Sequence, residues 1–139
     1  MTNNLEIYSD GGARGNPGPA AAAFVIIKHG KIVTNQSRFL GIATNNVAEY
    51  QGVIMALGWL ANNSKRLSEK SVSFYLDSEL VVNQLHGKYK VKSRNIKPLI
   101  QKIKVLESEI GKKISYNSIP RDMNKLADHL VNKTLNENS

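Results

Sequence analysis

Four carboxylates in this chain stand where acid chemistry could be done: Asp10, Glu49, Asp77 and Asp128. Asp10 follows an alternating run, Leu5 and Ile7 against Glu6 and Tyr8, which predicts a strand ending on the acid. Gly11 and Gly12 come next and predict a backbone that turns away, leaving the carboxylate open to a ligand. Asp77 closes a second strand-like run, Val72-Ser73-Phe74-Tyr75-Leu76. Glu49 falls in the first turn of a predicted helix, and Asp128 lies one residue off the apolar stripe of the last one. Each has an ordinary structural use. An aspartate before glycines is commonly a turn residue, and Asp77 would favour the N-terminus of a following helix. Glu49 stands three residues after Asn46, the spacing of a reciprocal helix cap. Asp128 alone reads as a solvated helix acid.

Their convergence is the stronger reading. If the two strands run parallel, they end at one sheet edge, and Asp10 and Asp77 become neighbours with Glu49 close by. Unneutralised carboxylates about 4 Å apart repel by about 4 kcal/mol per pair at an effective dielectric near 20. A chain with 11 acidic against 19 basic residues gains nothing structural from clustering four acids. A divalent cation accounts for the cost, and oxygen-only ligands suit magnesium or manganese.

The elements that must position these acids follow a βββαβααβα order. After Asp10, Asn16-Pro17-Gly18 has proline and glycine where a type II turn wants them. The run Ala20 to Ile27 predicts a strand, with His29-Gly30-Lys31 as a hairpin into a third strand reaching about Leu40. A phosphate-binding loop would need a helix directly after the glycines, which the hairpin denies. From Val47 the apolar residues recur with helical spacing to Ala61, and Thr44 or Asn46 can cap that helix. Ser78 can cap a short helix over Glu79 to His86, closed by Gly87. Pro98 suits the first turn of another helix. Ile114 to Ile119 reads as a short strand. Asp122 can cap a last helix whose apolar face is Met123, Leu126, Ala127, Leu130 and Val131.

The composition narrows the setting. At 139 residues the chain reads as one domain with a sizeable core, and the absence of cysteine excludes disulfides and thiolate metal sites. The sequence opens without a basic-then-apolar leader, and no apolar run approaches the roughly 18 residues that span a bilayer, so a cytosolic soluble protein is expected. The net charge of +8 favours a polyanionic partner. It is concentrated: between Leu80 and Leu106 there is no acid, while Lys88, Lys90, Lys92, Arg94, Lys97, Lys102 and Lys104 all fall there. An extended segment would point Lys88, Lys90, Lys92 and Arg94 one way.

Several blocks together resemble type 1 ribonuclease H, in that family's order and over nearly the whole chain. They are Tyr8-Ser9-Asp10-Gly11-Gly12 with Gly15-Asn16-Pro17-Gly18-Pro19, Thr44-Asn45-Asn46-Val47-Ala48-Glu49, Leu76-Asp77-Ser78, and Pro120-Arg121 with Asn124, Ala127-Asp128 and Leu130. The resemblance implies an α/β, RNase H-like fold: a five-stranded mixed sheet, order 3-2-1-4-5, flanked by helices. It implies a single catalytic domain that hydrolyses the RNA strand of RNA–DNA hybrids, leaving 5′-phosphate and 3′-hydroxyl ends. Asp10, Glu49, Asp77 and Asp128 become its metal-binding quartet, holding two magnesium ions with manganese as a substitute. Two ions can activate a water on one side of a phosphate and stabilise the leaving oxygen on the other. Asp10 fits as the carboxylate shared between them, Glu49 and Asp77 as ligands of one each, and Asp128 as the ligand nearer the water.

The same resemblance places Asn16, Asn45 and the backbone around Ala13 and Arg14 on the RNA side of the minor groove, where the 2′-hydroxyl is the handle. Asn46 belongs to that group, with helix capping as its alternative use. Thr44 would hold a DNA phosphate, and Lys88, Lys90, Lys92 and Arg94 the flanking backbone. Two features depart from the family's commoner pattern. The loop Ser118-Ile119-Pro120-Arg121-Asp122-Met123 carries no histidine, leaving Arg121 as the nearby group for phosphate. Only Gly87 to Arg94 stands where better-known bacterial relatives have a long basic, tryptophan-bearing protrusion, so the chain resembles the compact archaeal-like subgroup. A monomer acting on a hybrid is expected, with double-stranded RNA as the alternative substrate and a noncatalytic nucleic-acid binder as the alternative class.

Overall fold

The computed structural model describes residues 3–88 and 90–139. Three antiparallel strands come first: β1 (Asn4–Ala13), β2 (Gly18–Lys28) and β3 (Lys31–Ala43). Helix α1 (Asn45–Asn63) leads to β4 (Ser71–Leu76), which lies parallel to β1. Then come α2 (Glu79–Leu85), α3 (Lys97–Ile110), the parallel strand β5 (Lys113–Ser118) and α4 (Lys125–Glu137). The sheet order is β3-β2-β1-β4-β5, the expected mixed arrangement.

Sequence explains most of these choices. The hairpin between β2 and β3 turns on His29 at φ 51° and Gly30 at φ 75°, the positive pair that a two-residue turn of matching twist requires. The alanines of β2 would favour a helix in isolation, but Ala20, Ala21, Ala22 and Ala23 are all fully buried. Ala22 faces the main core, while Ala21 and Ala23 meet Val131 and Leu135 of α4. Small side chains on both faces let a helix lie close on each side of the sheet. The main core gathers Leu5, Ile7, Phe24, Ile26, Tyr50, Leu57, Phe74 and Leu76 beneath α1 and α3. Thr44 caps α1, its Oγ1 accepting from the Val47 N–H at 3.2 Å. With the cap at Thr44, Asn46 is inside the helix, and the reciprocal-cap use of Glu49 falls away.

The structure corrects five expectations. β1 does not end at Asp10; it stays paired with β2 through Ala13, because Gly11 and Gly12 lie flat opposite Ala22 and Ala21. The turn that follows has its positive φ at Gly15, and Gly18 already opens β2, so no type II turn forms on Asn16-Pro17-Gly18. β3 runs past Leu40 to Ala43, with Gly41 at φ 76° beside an irregularity in the ladder. Asp122 caps no helix: it sits in a 3-10 turn, Arg121–Met123, and α4 starts after Asn124. Met123 and Leu126 are exposed, and Thr134 and Leu135 take their place on the buried face.

Gly11 holds the two layers together by having no side chain. A Cβ there would stand 2.1 Å from the carbonyl oxygen of Ala48 in α1. Gly11→Ala is therefore expected to cost about 3 kcal/mol or prevent folding, since a backbone clash cannot relax by rotamer change. Gly58, inside α1, has nothing within 4 Å of such a Cβ, and Gly58→Ala should add about 1 kcal/mol. Urea unfolding of the two variants checks both signs.

Candidate active site

Parallel pairing sets the site. Tyr8 pairs with Tyr75, so two residues further along Asp10 comes beside Asp77 as β4 gives out. Glu49 arrives from α1, which touches β1 backbone to backbone at two glycines. A Cβ at Gly52 would stand 2.7 Å from the Asp10 carbonyl oxygen, just as one at Gly11 would strike Ala48. One carboxylate oxygen from each of Asp10, Glu49 and Asp77 lies within 4.8 Å of the others. Asp10 and Glu49 are buried at 5 % and 8 % exposure.

These acids do not sit as free carboxylates. Burial, then the charge of Asp77, lifts Asp10 to about 7. Burial, then the charges of Asp10 and Asp77, raises Glu49 well above the usual range. The Gly11 N–H favours the charged form of both. Burial raises Asp77 too, against the pull of the Asn124 amide and the Arg121 guanidinium. Glu49 Oε2 and Asp77 Oδ2 are buried with no hydrogen-bond donor among the described residues. Acceptors left without donors in a pocket of three acids are what a bound cation would satisfy, and an all-oxygen set fits a hard divalent ion.

Asp128 lies outside this set. It is half-buried in the first turn of α4, with Oδ1 accepting from Asn132 Nδ2 at 3.3 Å, and its charge reaches both Asp10 and Asp77. Ser9 and Ser78 are not nucleophiles. Ser9 is fully buried, and Ser78 Oγ accepts from the Val81 N–H at 3.3 Å to cap α2.

The asparagines brace the turn beside the site. Asn16 Oδ1 accepts from the Asn45 N–H at 2.9 Å, and Asn45 Oδ1 accepts from the Ala13 N–H at 2.8 Å. Each uses its carbonyl oxygen as the acceptor in this brace. Asn46 is exposed on the same helix turn. Thr44 and Arg94 line one groove of 560 Å³ with Pro17, Ile42 and Asn95. Lys88, Lys90, Lys92 and Arg94 are exposed while Val91 packs on the core, and Tyr89, which alternates with them, lies outside the described residues. Arg121 is exposed in the 3-10 turn before α4. Sequence reasoning gave Asn124 no role, although it is 1 % exposed and donates from Nδ2 to the Ser9 carbonyl at 2.9 Å. A lone polar residue flanked by exposed ones gave no periodic signal of burial.

A family model described as reverse transcriptase-like matches residues 8–134. LC11-RNase H1, solved in complex with an RNA/DNA hybrid, superposes with a TM-score of 0.90 at 40% identity, covering 96% of this chain and 97% of that one. The chain belongs to the ribonuclease H family. RNase H1 from the halophilic archaeon Halobacterium salinarum superposes at 0.87 with 32% identity over 96% of this chain and 98% of its own. The bifunctional protein Rv2228c of Mycobacterium tuberculosis is 37% identical over 131 residues, 93% of this chain. This chain spans 35% of that protein's length. It spans 65% of the length of the curated Ribonuclease HI of Halobacterium salinarum. Ribonucleases H depend on metal ions, and the acidic trio is where this one can hold them.

The raised Asp10 carboxyl has a consequence for stability. Its ordinary value of 3.8 rises to about 7 on folding, so the folded chain binds more protons across that window. Its contribution therefore favours folding at low pH and is lost as pH rises through about 7. In EDTA, Asp10→Asn should melt a few degrees above the parent at pH 8, with the difference shrinking by pH 5. Thermal unfolding at the two pH values tests this; a less stable Asp10→Asn at pH 8 contradicts it.

Proposed function

We propose that this chain is a metal-dependent endoribonuclease that cuts the RNA strand of RNA–DNA hybrids, leaving 5′-phosphate and 3′-hydroxyl ends. The observation that carries the reading is the trio Asp10, Glu49 and Asp77, whose oxygens converge with Glu49 Oε2 and Asp77 Oδ2 left without a donor among the described residues. A noncatalytic binder would do better without negative charge facing phosphates. The family, and the hybrid complex of LC11-RNase H1, supply the substrate class.

In this reading Asp10, Glu49 and Asp77 hold two magnesium ions, or manganese in their place, and Asp128 completes the set. When bound, such a pair supplies water activation and charge stabilisation of the leaving 3′-oxygen. The chain's own groups do the rest. Asp10 would be the carboxylate common to both ions, with Glu49 and Asp77 as ligands of one each in their ionised forms. Arg121, whose charge already reaches Asp77, receives the phosphate where relatives use a histidine. The amide donors of Asn16 and Asn45 meet 2′-hydroxyls, with Asn46 exposed on the same turn. Thr44 and Arg94 hold a phosphate of the DNA strand, and Lys88, Lys90 and Lys92 extend the contact. Residues 1–139 act as one catalytic unit and as a monomer. Among the described residues no helix is long and apolar enough to cross a membrane.

The test uses end-labelled RNA–DNA, RNA–RNA and DNA–DNA duplexes with magnesium, manganese or EDTA. Cutting of hybrid RNA only with metal is expected; cutting in EDTA or of DNA–DNA overturns the reading, and cutting of RNA–RNA widens the substrate class. Asp10→Asn should lower kcat by about a thousandfold or more while hybrid binding survives. Asp128→Asn should lose less, because Asp128 stands apart from the trio. If Lys88, Lys90 and Lys92 contact phosphates, their triple alanine variant should flatten the salt dependence of hybrid binding by nearly one log unit per lysine.

A further inference from the structure

Asn124 precedes the first turn of α4, where an asparagine ordinarily caps its own helix, yet its side chain makes no capping bond. Nδ2 instead donates to the carbonyl oxygen of Ser9, the residue before Asp10, at 2.9 Å across 115 positions of sequence. The same amide faces the Asp77 carboxylate beyond the end of β4. Its main-chain oxygen accepts from the Asp128 N–H at 3.1 Å, the first helical bond of α4. One buried residue thus touches the strand that carries Asp10 and the main chain of Asp128, and acts on the charge of the Asp77 carboxylate. Its Oδ1 has no donor, and neither does Ser9 Oγ, so the residue is not held there by a saturated hydrogen-bond network.

We propose that Asn124 is a positioning residue for the metal site: it fixes Asp77 against β1 and sets how far α4 carries Asp128 from the trio. Only an amide meets this demand. A carboxylate would offer no donor to the Ser9 carbonyl and would repel Asp77, and a hydroxyl is too short to span both. The inference rests on the metal reading of the trio, and the experiment separates the two. Outer partners that orient a metal's ligands typically change affinity by about 10- to 100-fold when removed.

Manganese binding is measured by calorimetry on the parent, Asn124→Ala and Asn132→Ala, with thermal unfolding recorded for each. Asn132 is exposed and touches only Asp128 of the four acids, so it is the local control. Asn124→Ala, at a temperature where it is fully folded, should bind manganese about tenfold or more weakly, and added magnesium should recover its kcat toward the parent's. A lowered melting temperature with an unchanged manganese isotherm overturns the proposal and leaves Asn124 a fold residue. If the parent binds no manganese, the metal reading itself fails. Should Asn124→Ala not fold, the parent decides. Its Asn124 side-chain amide resonances should shift on magnesium titration with the same half-saturation as the Asp77 backbone amide. Unmoved resonances overturn the proposal.

Discussion

Helix α1 lies on strand β1 with no side chain between them, and the site depends on that contact. Gly11 meets the Ala48 carbonyl and Gly52 meets the Asp10 carbonyl at distances that no Cβ could occupy. Helices and sheets otherwise keep a layer of side chains between their backbones. Removing that layer at one point lets the short side chain of Asp10 and the longer one of Glu49 reach the same small volume. Parallel pairing of β1 with β4 then delivers Asp77 to it without any further device. The run of alanines in β2 serves the same end on the opposite face, admitting α4 and its Asp128 close to the sheet.

That geometry is electrostatically unfavourable by itself. Burial raises all three carboxyls, and the charge of Asp77 raises Asp10 and Glu49 further. The basic surplus of the chain lies elsewhere, on the exposed Lys88, Lys90, Lys92 and Arg94 and along α3. Elsewhere in the molecule a buried carboxylate is treated differently. Glu69, 3 % exposed, is paired with Lys28 at 2.5 Å, and Lys112 binds the carbonyls beside it. Burial of charge is thus compensated by lysine where the acid is structural, and left uncompensated at the trio, where a cation is the natural complement.

Much of this was legible in the sequence, for identifiable reasons. Strand alternation before Asp10 and Asp77, helical spacing from Val47 and the His29-Gly30 turn are local signals, and with the family's blocks they were enough for the strand order. What escaped was set by contacts between distant residues. Gly11 reads locally as a turn, and only the approach of Ala48 reveals a strand residue. Met123 and Leu126 have the spacing of a buried face, but the sheet ends before it can cover them. Asn124 carries no local sign of the bond it makes to the Ser9 carbonyl. The separation of Asp128 from the trio is likewise a matter of where α4 lands, which no spacing encodes.

The central claim is that the converging trio Asp10, Glu49 and Asp77 exists to be loaded by divalent cations. Loading must then expel protons, because carboxylates bind metal in their ionised form. The direct measurement is calorimetric titration of manganese at pH 6.5 in two buffers of different ionisation enthalpy. The account predicts a buffer-dependent heat corresponding to net proton release, absent in Asp10→Asn at matched metal concentration. Metal binding with no proton release, or with release undiminished in that variant, would contradict it.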